Sequence, residues 1–193
     1  MGTDGVIIGA LDLGNGEHYE GEYLNGKPDG WGTLFNKSGD RFEGEFRNGL
    51  FNGHITYTSP YGACVEGDYI DGCKNGHFTE HYPGDDSFEG EYRDDRRNGY
   101  GIISFITGER FEGEFKDGEP NGPGTVYFLD GTRFEGDFYT FSAGEQGREL
   151  TECVTSALGE YIDADSNRER RRFILKSSWK TATDWGTRRL YFV

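Results

Sequence analysis

The chain has 193 residues and a net charge of −15, with 35 acidic against 20 basic side chains. This charge disfavours binding to nucleic-acid phosphates or anionic lipid headgroups, because both require a basic patch. Glycine is abundant at 32 residues, but it accompanies 16% aromatic residues, a content that argues against a disordered low-complexity chain.

The start of the chain predicts neither a signal peptide nor a membrane anchor. Residues 1–13 contain no basic segment, and their apolar stretch is too short for either role. The three cysteines are odd in number and lack zinc-site spacing, which predicts reduced thiols. These features favour a cytoplasmic protein.

A short phrase returns six times along the chain at a constant spacing. Its pattern is aromatic-Glu-Gly-acidic-aromatic, and the copies begin at Tyr19, Phe42, Val65, Phe88, Phe111 and Phe134. A constant period of this length indicates one supersecondary unit stacked on itself, because so small a unit cannot bury its apolar face alone.

Each copy predicts a β-hairpin. In FEGEF at 42–46, aromatic and acidic side chains alternate, so they are expected on opposite faces of a strand. A polar turn such as Asn48-Gly49 follows, where Gly and Asn tolerate a positive φ. The glycine at Gly53 begins a return strand, and turns such as Ser38-Gly39 join successive copies.

We therefore predict an elongated, single-layer antiparallel β-meander of 23-residue hairpins over residues 7–138. This array comprises a half repeat, five full repeats and a final first strand. Rows of aromatic rings would stabilise the single layer, since each ring can bury about 150–250 Å². The third copy is degenerate, with Val65, Glu80 and His81 at its repeat positions.

Residues 139–193 do not follow the period and are predicted to form an irregular segment that caps or docks. Near residues 146–161, Leu150, Val154 and Tyr161 follow helical spacing, which predicts a short α-helix. Such a helix would cover the open edge of the last strand.

A basic run follows, and two interpretations of it remain open. Its members are Arg168, Arg170, Arg171 and Arg172. They would either be solvated beside a strand or dock on the acidic rows or on a neighbouring subunit.

Three strings imitate functional motifs, but their positions argue against each. Residues 21–28 match a phosphate-binding loop except at Pro28, and they fall on a hairpin turn. Residues 77–81 spell an inverted zinc-protease motif, which requires a helix where the period predicts a strand. Residues 163–167 begin like a calcium loop, but Arg168 occupies the glycine position. No catalytic residue, metal or cofactor is predicted.

The phrases YEGEYLNGKPDGWGTLF at 19–35 and FEGEFKDGEPNGPGTVYF at 111–128 resemble MORN repeats. The resemblance covers about residues 7–138. It implies a curved sheet that serves as a scaffold, with a groove for partner segments, in cytoskeletal, ciliary or membrane-associated assemblies. Residues 121–124 and 178–183 resemble more narrowly a MORN subunit of the ciliary radial spoke head.

The predicted function is a non-catalytic scaffold for a protein partner, expected to be a helix or extended segment with basic residues. The expected aromatic contacts are Phe42, Phe46, Tyr69, Phe88, Tyr92, Phe111 and Phe115. The expected acidic contacts are Glu43, Glu66, Glu89 and Glu112. For the aromatic residues, packing within the sheet is the competing interpretation.

An alternative function is a membrane-associated adaptor that binds phosphoinositides or recruits a lipid-modifying enzyme. Its support is the run Arg168–Arg172, and the net charge of −15 opposes it.

Overall fold

The computed structural model describes residues 5–143, 152–177 and 188–192, and their regular structure is β-strand. Two compact units are distinguished, residues 1–96 and 97–193. The first unit contains the strands β1 (Ile7–Gly14), β2 (Glu17–Leu24), β3 (Lys27–Phe35), β4 (Arg41–Arg47), β5 (Leu50–Thr58), β6 (Cys64–Ile70), β7 (Cys73–His81) and β8 (Ser87–Arg93). From the boundary onward follow β9 (Arg96–Ser104), β10 (Arg110–Lys116), β11 (Glu119–Tyr127), β12 (Arg133–Ala143), β13 (Glu152–Ile162), β14 (Arg168–Ser177) and β15 (Arg188–Phe192).

Within each unit, every strand pairs antiparallel with its neighbour in the chain. The pairing keeps the repeat in register, so that the glycines of facing strands lie opposite each other, as Gly21 and Gly32 do. The predicted antiparallel meander is confirmed in each unit.

The turn inside each of the five full repeats has two consecutive residues with positive φ. In the first copy these are Asn25, at 51°, and Gly26, at 74°. The fourth copy, which lacks the glycine, uses Asp94 at 48° and Asp95 at 64°. Two positive φ values define the turn whose twist matches that of the flanking strands, so the predicted hairpins are confirmed.

Aromatic rings form the core of the first unit on one face of its sheet. Successive rings meet edge to face at centroid distances of 5.0 to 5.4 Å, from Tyr19 through Phe46, Phe51, Tyr69 and Phe78 to Tyr92. The ring of Tyr19 lies over Gly32 and is completely buried. Edge-to-face pairs add about 0.5–1.5 kcal/mol each beyond their burial, which explains how a single layer holds together.

The helix predicted near residues 146–161 is wrong where the structure describes this segment. Residues 152–162 form β13, while residues 144–151 lie outside the described residues. The free edge of β12 presents backbone donors and acceptors that another strand satisfies. Gly159, one repeat period after Gly136, lies opposite it, and a Cβ there would approach the Gly136 Cα to 2.6 Å. The segment expected to be irregular therefore adds further strands.

Candidate partner-binding site

Four of the seven aromatic residues predicted to contact a partner are buried in the sheet. These are Phe46, Phe88, Phe111 and Phe115. The other three, Phe42, Tyr69 and Tyr92, are partly buried and lie in the first unit. Packing within the sheet therefore accounts for the four buried rings, and contact surface remains at the three others.

Two of these partly buried residues line a shallow pocket on the aromatic face of the first unit. We call it the aromatic pocket, and its volume is about 320 Å³. Its walls are formed by Asp40, Phe42, Tyr57, Val65, Tyr69, Lys74 and Tyr82. It is at the small end of the range for binding sites, about 300–1,000 Å³.

The pocket lies at the third copy, where two repeat positions hold side chains that differ in size from those of other copies. Val65 occupies the first aromatic position of the phrase, which is Phe or Tyr in the other five copies. On the paired strand, Phe78 occupies the position of Gly32 and Gly124, and its ring lies over Gly67. The smaller Val65 leaves space beside Phe42 and Tyr57, and this space is part of the pocket.

An ion pair lies on the same face of the sheet, and its Lys74 forms part of the pocket wall. The Lys74 Nζ donates to Glu80, whose side chain is only 5% exposed. The same ammonium group lies 4.9 Å from the ring centroid of Tyr92 and 5.2 Å from that of Phe78. The third copy thus replaces an apolar pair by a charged one, since the position of Glu80 holds Leu34 in the first copy.

Two phenol groups of the pocket, those of Tyr57 and Tyr69, are held in their protonated form. Burial, followed by the charges of Glu80 and Asp95, raises the pKa of Tyr69 to about 12. Burial, followed by the charge of Asp40, also raises the pKa of Tyr57. The Tyr57 hydroxyl is hydrogen-bonded to Asp40 and Ser59, whereas the Tyr69 hydroxyl is a potential hydrogen-bond donor for a partner at neutral pH.

The predicted acidic contacts lie on the opposite face from the aromatic ones. Glu43 pairs with Arg41 at 2.6 Å, and Glu112 pairs with Arg110. Glu66 lies 2.9 Å from a ring nitrogen of His54, and Glu89 lies 3.6 Å from one of His77. Because strand side chains alternate between faces, one segment lying on one face cannot contact both predicted sets.

The predicted basic run lies on β14, where successive side chains alternate between the two faces of the sheet. Arg168 pairs with Glu160 at 2.7 Å, and Arg171 pairs with Glu169 at 2.5 Å. Arg171 also stacks on Tyr161, 4.7 Å from its ring centroid. Arg170 lines a hollow beside Glu135 and Glu160, and Arg172 is exposed. Two of the four arginines are thus paired with carboxylates of their own unit.

The three motif-like strings take ordinary places in the sheet. Residues 21–28 span the β2–β3 hairpin, and residues 77–81 lie on β7. Residues 163–167 form a turn in which Asp163 Oδ1 accepts hydrogen bonds from the backbone N–H groups of Asp165 and Asn167. The backbone N–H of Asp163 also donates to the carbonyl of Asn167. The same kind of bond, from the N–H of Phe128 to the carbonyl of Thr132, closes the loop between β11 and β12.

Metal-binding clusters and membrane-spanning helices are both absent from the described part of the chain. Its His, Cys, Asp and Glu side chains form no group of three suited to a metal ion. None of its segments is a helix long and apolar enough to cross a bilayer.

Sequence reasoning missed Tyr57, Lys74, Asp40 and Tyr82 as pocket residues. The sequence feature that could have revealed them was the departure of the third copy from the repeat pattern, at Val65 and Glu80. The departure was visible in the sequence, but its consequence depends on the direction that the Phe78 ring takes.

A family model described as MORN repeat matches residues 19–41, 42–62, 88–110 and 111–133. The residues between the second and third matches contain the degenerate copy with Val65, Phe78 and Glu80. The comparison with curated proteins found no match. The four matches fall in phase with the 23-residue period and on hairpins of the sheet described above. The chain therefore contains MORN repeats.

Proposed function

We propose that this protein is a non-catalytic scaffold that binds a partner protein through the aromatic pocket. The occupant is an apolar side chain carried by a helix or an extended segment of the partner. The observation that carries this proposal is the opening at Val65, between the partly buried rings of Phe42, Tyr57 and Tyr69. Interfaces draw most of their binding energy from such anchors seated in preformed pockets.

The chemistry of the pocket supports this occupant. Its walls are mostly aromatic, and they supply apolar contact with little conformational freedom to lose. The protonated hydroxyl group of Tyr69 can donate to a backbone carbonyl that flanks the anchor.

The surroundings of His54 and His77 support a role without catalysis. The ring nitrogens of His54 and His77 face carboxylates rather than a nucleophile. A nucleophilic mechanism needs a base within hydrogen-bond reach of a hydroxyl or thiol.

We further propose that the assembly is cytoskeletal or ciliary, of the radial spoke type. The support is the sequence of residues 121–124 and 178–183, which resembles that of a radial spoke head MORN subunit. A pull-down from source cells followed by mass spectrometry tests this step. Axonemal proteins among the specific partners would support it, and their absence would count against it.

A pair of substitutions on one strand tests the pocket. Val65→Met fills the opening with a flexible side chain, whereas Ile70→Met places the same side chain on the opposite, charged face of β6, where Ile70 is exposed. Short random peptides displayed on phage would be selected on the wild-type protein. We expect the selected peptides to share an apolar residue and to bind Val65→Met about tenfold more weakly, a loss of about 1.4 kcal/mol.

The same peptides should bind Ile70→Met as tightly as the wild type. Equal binding to both variants would overturn the pocket as the binding site.

Sedimentation with phosphoinositide-containing vesicles tests the membrane alternative. Two of the arginines that would have to bind the headgroups, Arg168 and Arg171, are already paired with carboxylates. Vesicle binding that Arg170→Ala and Arg172→Ala together abolish would favour that alternative.

A further inference from the structure

Two hairpin turns of the first unit share the sequence Asn-Gly and the same backbone conformation. Asn25 and Gly26 join β2 to β3 with φ values of 51° and 74°. Asn48 and Gly49 join β4 to β5 with φ values of 51° and 84°. All four residues are exposed to solvent. The turns are alike in themselves, so a difference in their chemistry has to come from their neighbours.

The turn at Asn48 and Gly49 is held by two hydrogen bonds to the preceding hairpin. The backbone N–H of Gly49 donates to the Pro28 carbonyl at 2.8 Å, and that of Asn48 donates to Asp29 Oδ2 at 3.0 Å. The bond made by Gly49 is a regular contact between consecutive hairpins. Later hairpins repeat it from Gly72 to Phe51, from Asp95 to Lys74 and from Gly118 to Arg97.

The turn at Asn25–Gly26 lacks this attachment in the part of the chain that the structure describes. Neither of its two backbone N–H groups has a hydrogen-bond acceptor among the described residues. One repeat period before Pro28 and Asp29, the chain has Gly5 and Val6. The Val6 side chain has no acceptor atom, so it cannot replace the carboxylate of Asp29.

Packing around the two turns differs in the same direction. A Cβ added to Gly49 would meet the Lys27 side chain of the preceding hairpin at 3.9 Å. A Cβ added to Gly26 would meet nothing within 4 Å. Few contacts and solvent-exposed backbone groups are features of segments that open locally at low free energy. The Asn25–Gly26 turn therefore opens more readily than its counterpart.

An Asn-Gly pair that opens can react with itself. The glycine nitrogen loses its proton and attacks the asparagine Cγ, the bond from Cγ to Nδ2 breaks, and ammonia leaves as a succinimide ring closes. Glycine has no Cβ to hinder this approach. Ring closure requires rotation about the Cα–C bond of the asparagine, which the hydrogen bonds of a fixed turn resist. Water then opens the ring at Cγ to give aspartate, or at the main-chain carbonyl to give isoaspartate.

We propose that Asn25 is a site of spontaneous deamidation in the folded protein, whereas Asn48, in a turn of the same conformation, is protected by the preceding hairpin. The reaction consumes only water and releases ammonia, so it needs no enzyme or cofactor. It goes beyond the proposed function, which does not involve this turn.

The other Asn-Gly pairs of the chain are held by their surroundings. In the turn before β2, a Cβ at Gly16 would meet the Lys37 side chain at 3.4 Å, so that side chain covers the Asn15–Gly16 bond. Four further pairs lie inside strands whose pairing fixes their backbone, at 52–53, 75–76, 98–99 and 121–122.

The two products change the hairpin differently. Aspartate keeps the turn, because Asp71, Asp94 and Asp117 occupy the same repeat position with φ values of 48° to 53°. Isoaspartate adds a methylene group to the main chain of a two-residue turn, whose length fixes the register of the hairpin. Deamidation at Asn25 therefore yields one form with an added negative charge and an intact hairpin, and another with a weakened hairpin.

Incubation of the full chain in mildly alkaline buffer tests the proposal. Peptide mass spectrometry measures deamidation at both asparagines in one sample, and the same incubation in concentrated urea gives the rates of the unfolded chain. The ratio of unfolded to folded rate is the protection of each site. We expect Asn48 to be protected at least about tenfold more than Asn25, or about 1.4 kcal/mol, which is the scale of two hydrogen bonds. Equal protection of the two sites would overturn the proposal.

Substitutions in the preceding strand test the cause of the difference. Asp29→Ala removes the acceptor of the Asn48 N–H and should accelerate deamidation at Asn48 without changing the rate at Asn25. Val6→Asp supplies an acceptor at the equivalent position and should slow deamidation at Asn25, whereas Val6→Leu, which supplies none, should not. Thermal melting shows that each variant is folded. An unchanged rate at Asn48 in folded Asp29→Ala would contradict protection by the preceding hairpin.

Discussion

The ring of Phe78 lies over the backbone of Gly67, in a hairpin whose first phrase residue is Val65 instead of an aromatic residue. A Cβ added at Gly67 would lie 2.5 Å from the ring of Phe78. In the fifth copy the arrangement is reversed, because the Phe111 ring lies over Gly124 on the paired strand. The third copy therefore exchanges a large and a small side chain across its hairpin while keeping an aromatic ring on the glycine.

This exchange predicts strong coupling between positions 65 and 78. Phe78→Gly alone removes a completely buried ring and should cost about 3–5 kcal/mol of unfolding free energy. Val65→Phe alone overpacks the site, at a cost of about 1–3 kcal/mol. The double variant recreates the arrangement of the first, fourth and fifth copies and should cost clearly less than the sum. Urea unfolding of the four proteins measures the coupling, and additive costs would contradict the exchange.

The constant repeat period was sufficient to predict the strands and turns of the array. It specifies which side chains share a face and where a positive φ is required, and both are local properties of a hairpin. The aromatic pocket could not be predicted in this way. It depends on how far the rings of Phe42, Tyr57 and Phe78 tilt once Val65 leaves space, and neighbouring side chains decide that tilt.

The segment around β13 shows why the predicted helix failed. Leu150, Val154 and Tyr161 follow a helical spacing, yet a short apolar run does not distinguish a helix from a strand. The open edge of β12 decides the outcome, because a strand satisfies its backbone groups and an amphipathic helix would not. Gly159, in phase with Gly136, was the signal in the sequence that pointed to a strand.

The buried ion pair between Lys74 and Glu80 makes the third copy sensitive to loss of one partner. Lys74→Met removes the cation and leaves the Glu80 carboxylate in a site that is only 5% exposed. We expect a loss of about 3–5 kcal/mol of unfolding free energy. The double variant Lys74→Phe with Glu80→Leu inserts the residues found at these positions in the second and first copies.

That double variant should be neutral or more stable than the wild type by about 1–4 kcal/mol, because two desolvated charges are replaced by apolar contacts. Thermal and urea unfolding of the three proteins provide the measurement. A double variant as unstable as Lys74→Met would show that the pair has a structural role that apolar packing cannot supply.

The position of His54 between two carboxylates predicts a dependence of stability on pH. Hydrogen bonds to Asp68 and Glu66 raise the pKa of His54 in the folded protein. A raised pKa means that the folded state holds the proton more tightly than the unfolded chain. The stabilisation is therefore fully present below the unfolded pKa of about 6.5 and is lost as pH rises through the folded value.

His54→Asn should accordingly destabilise the protein more at about pH 5.5 than at about pH 8.5. An NMR titration of the His54 ring protons gives the folded pKa directly. Asp68→Asn with Glu66→Gln should return the midpoint towards the ordinary histidine value. A wild-type midpoint at or below about 6.5 would contradict the ion-pair geometry.

Two glycines at the same repeat position should respond in opposite ways to alanine. Gly32 lies under the ring of Tyr19, so a Cβ there would overlap that ring. Tyr19 is completely buried, and its hydroxyl donates to the Glu22 carbonyl at 2.9 Å, so the ring cannot move aside without losing this bond. Gly32→Ala should therefore cost about 1–3 kcal/mol.

Gly9 occupies the equivalent position in the leading half repeat, where the nearest side chain is that of Tyr23. A Cβ at Gly9 would meet Tyr23 at 3.6 Å, an ordinary contact, and its φ is not positive. Gly9→Ala should be neutral or stabilise by about 0.4–1 kcal/mol, because alanine restricts the unfolded chain more than glycine does. Urea unfolding of both variants provides the comparison. Similar losses at both positions would mean that the strand backbone, and not the ring of Tyr19, requires glycine there.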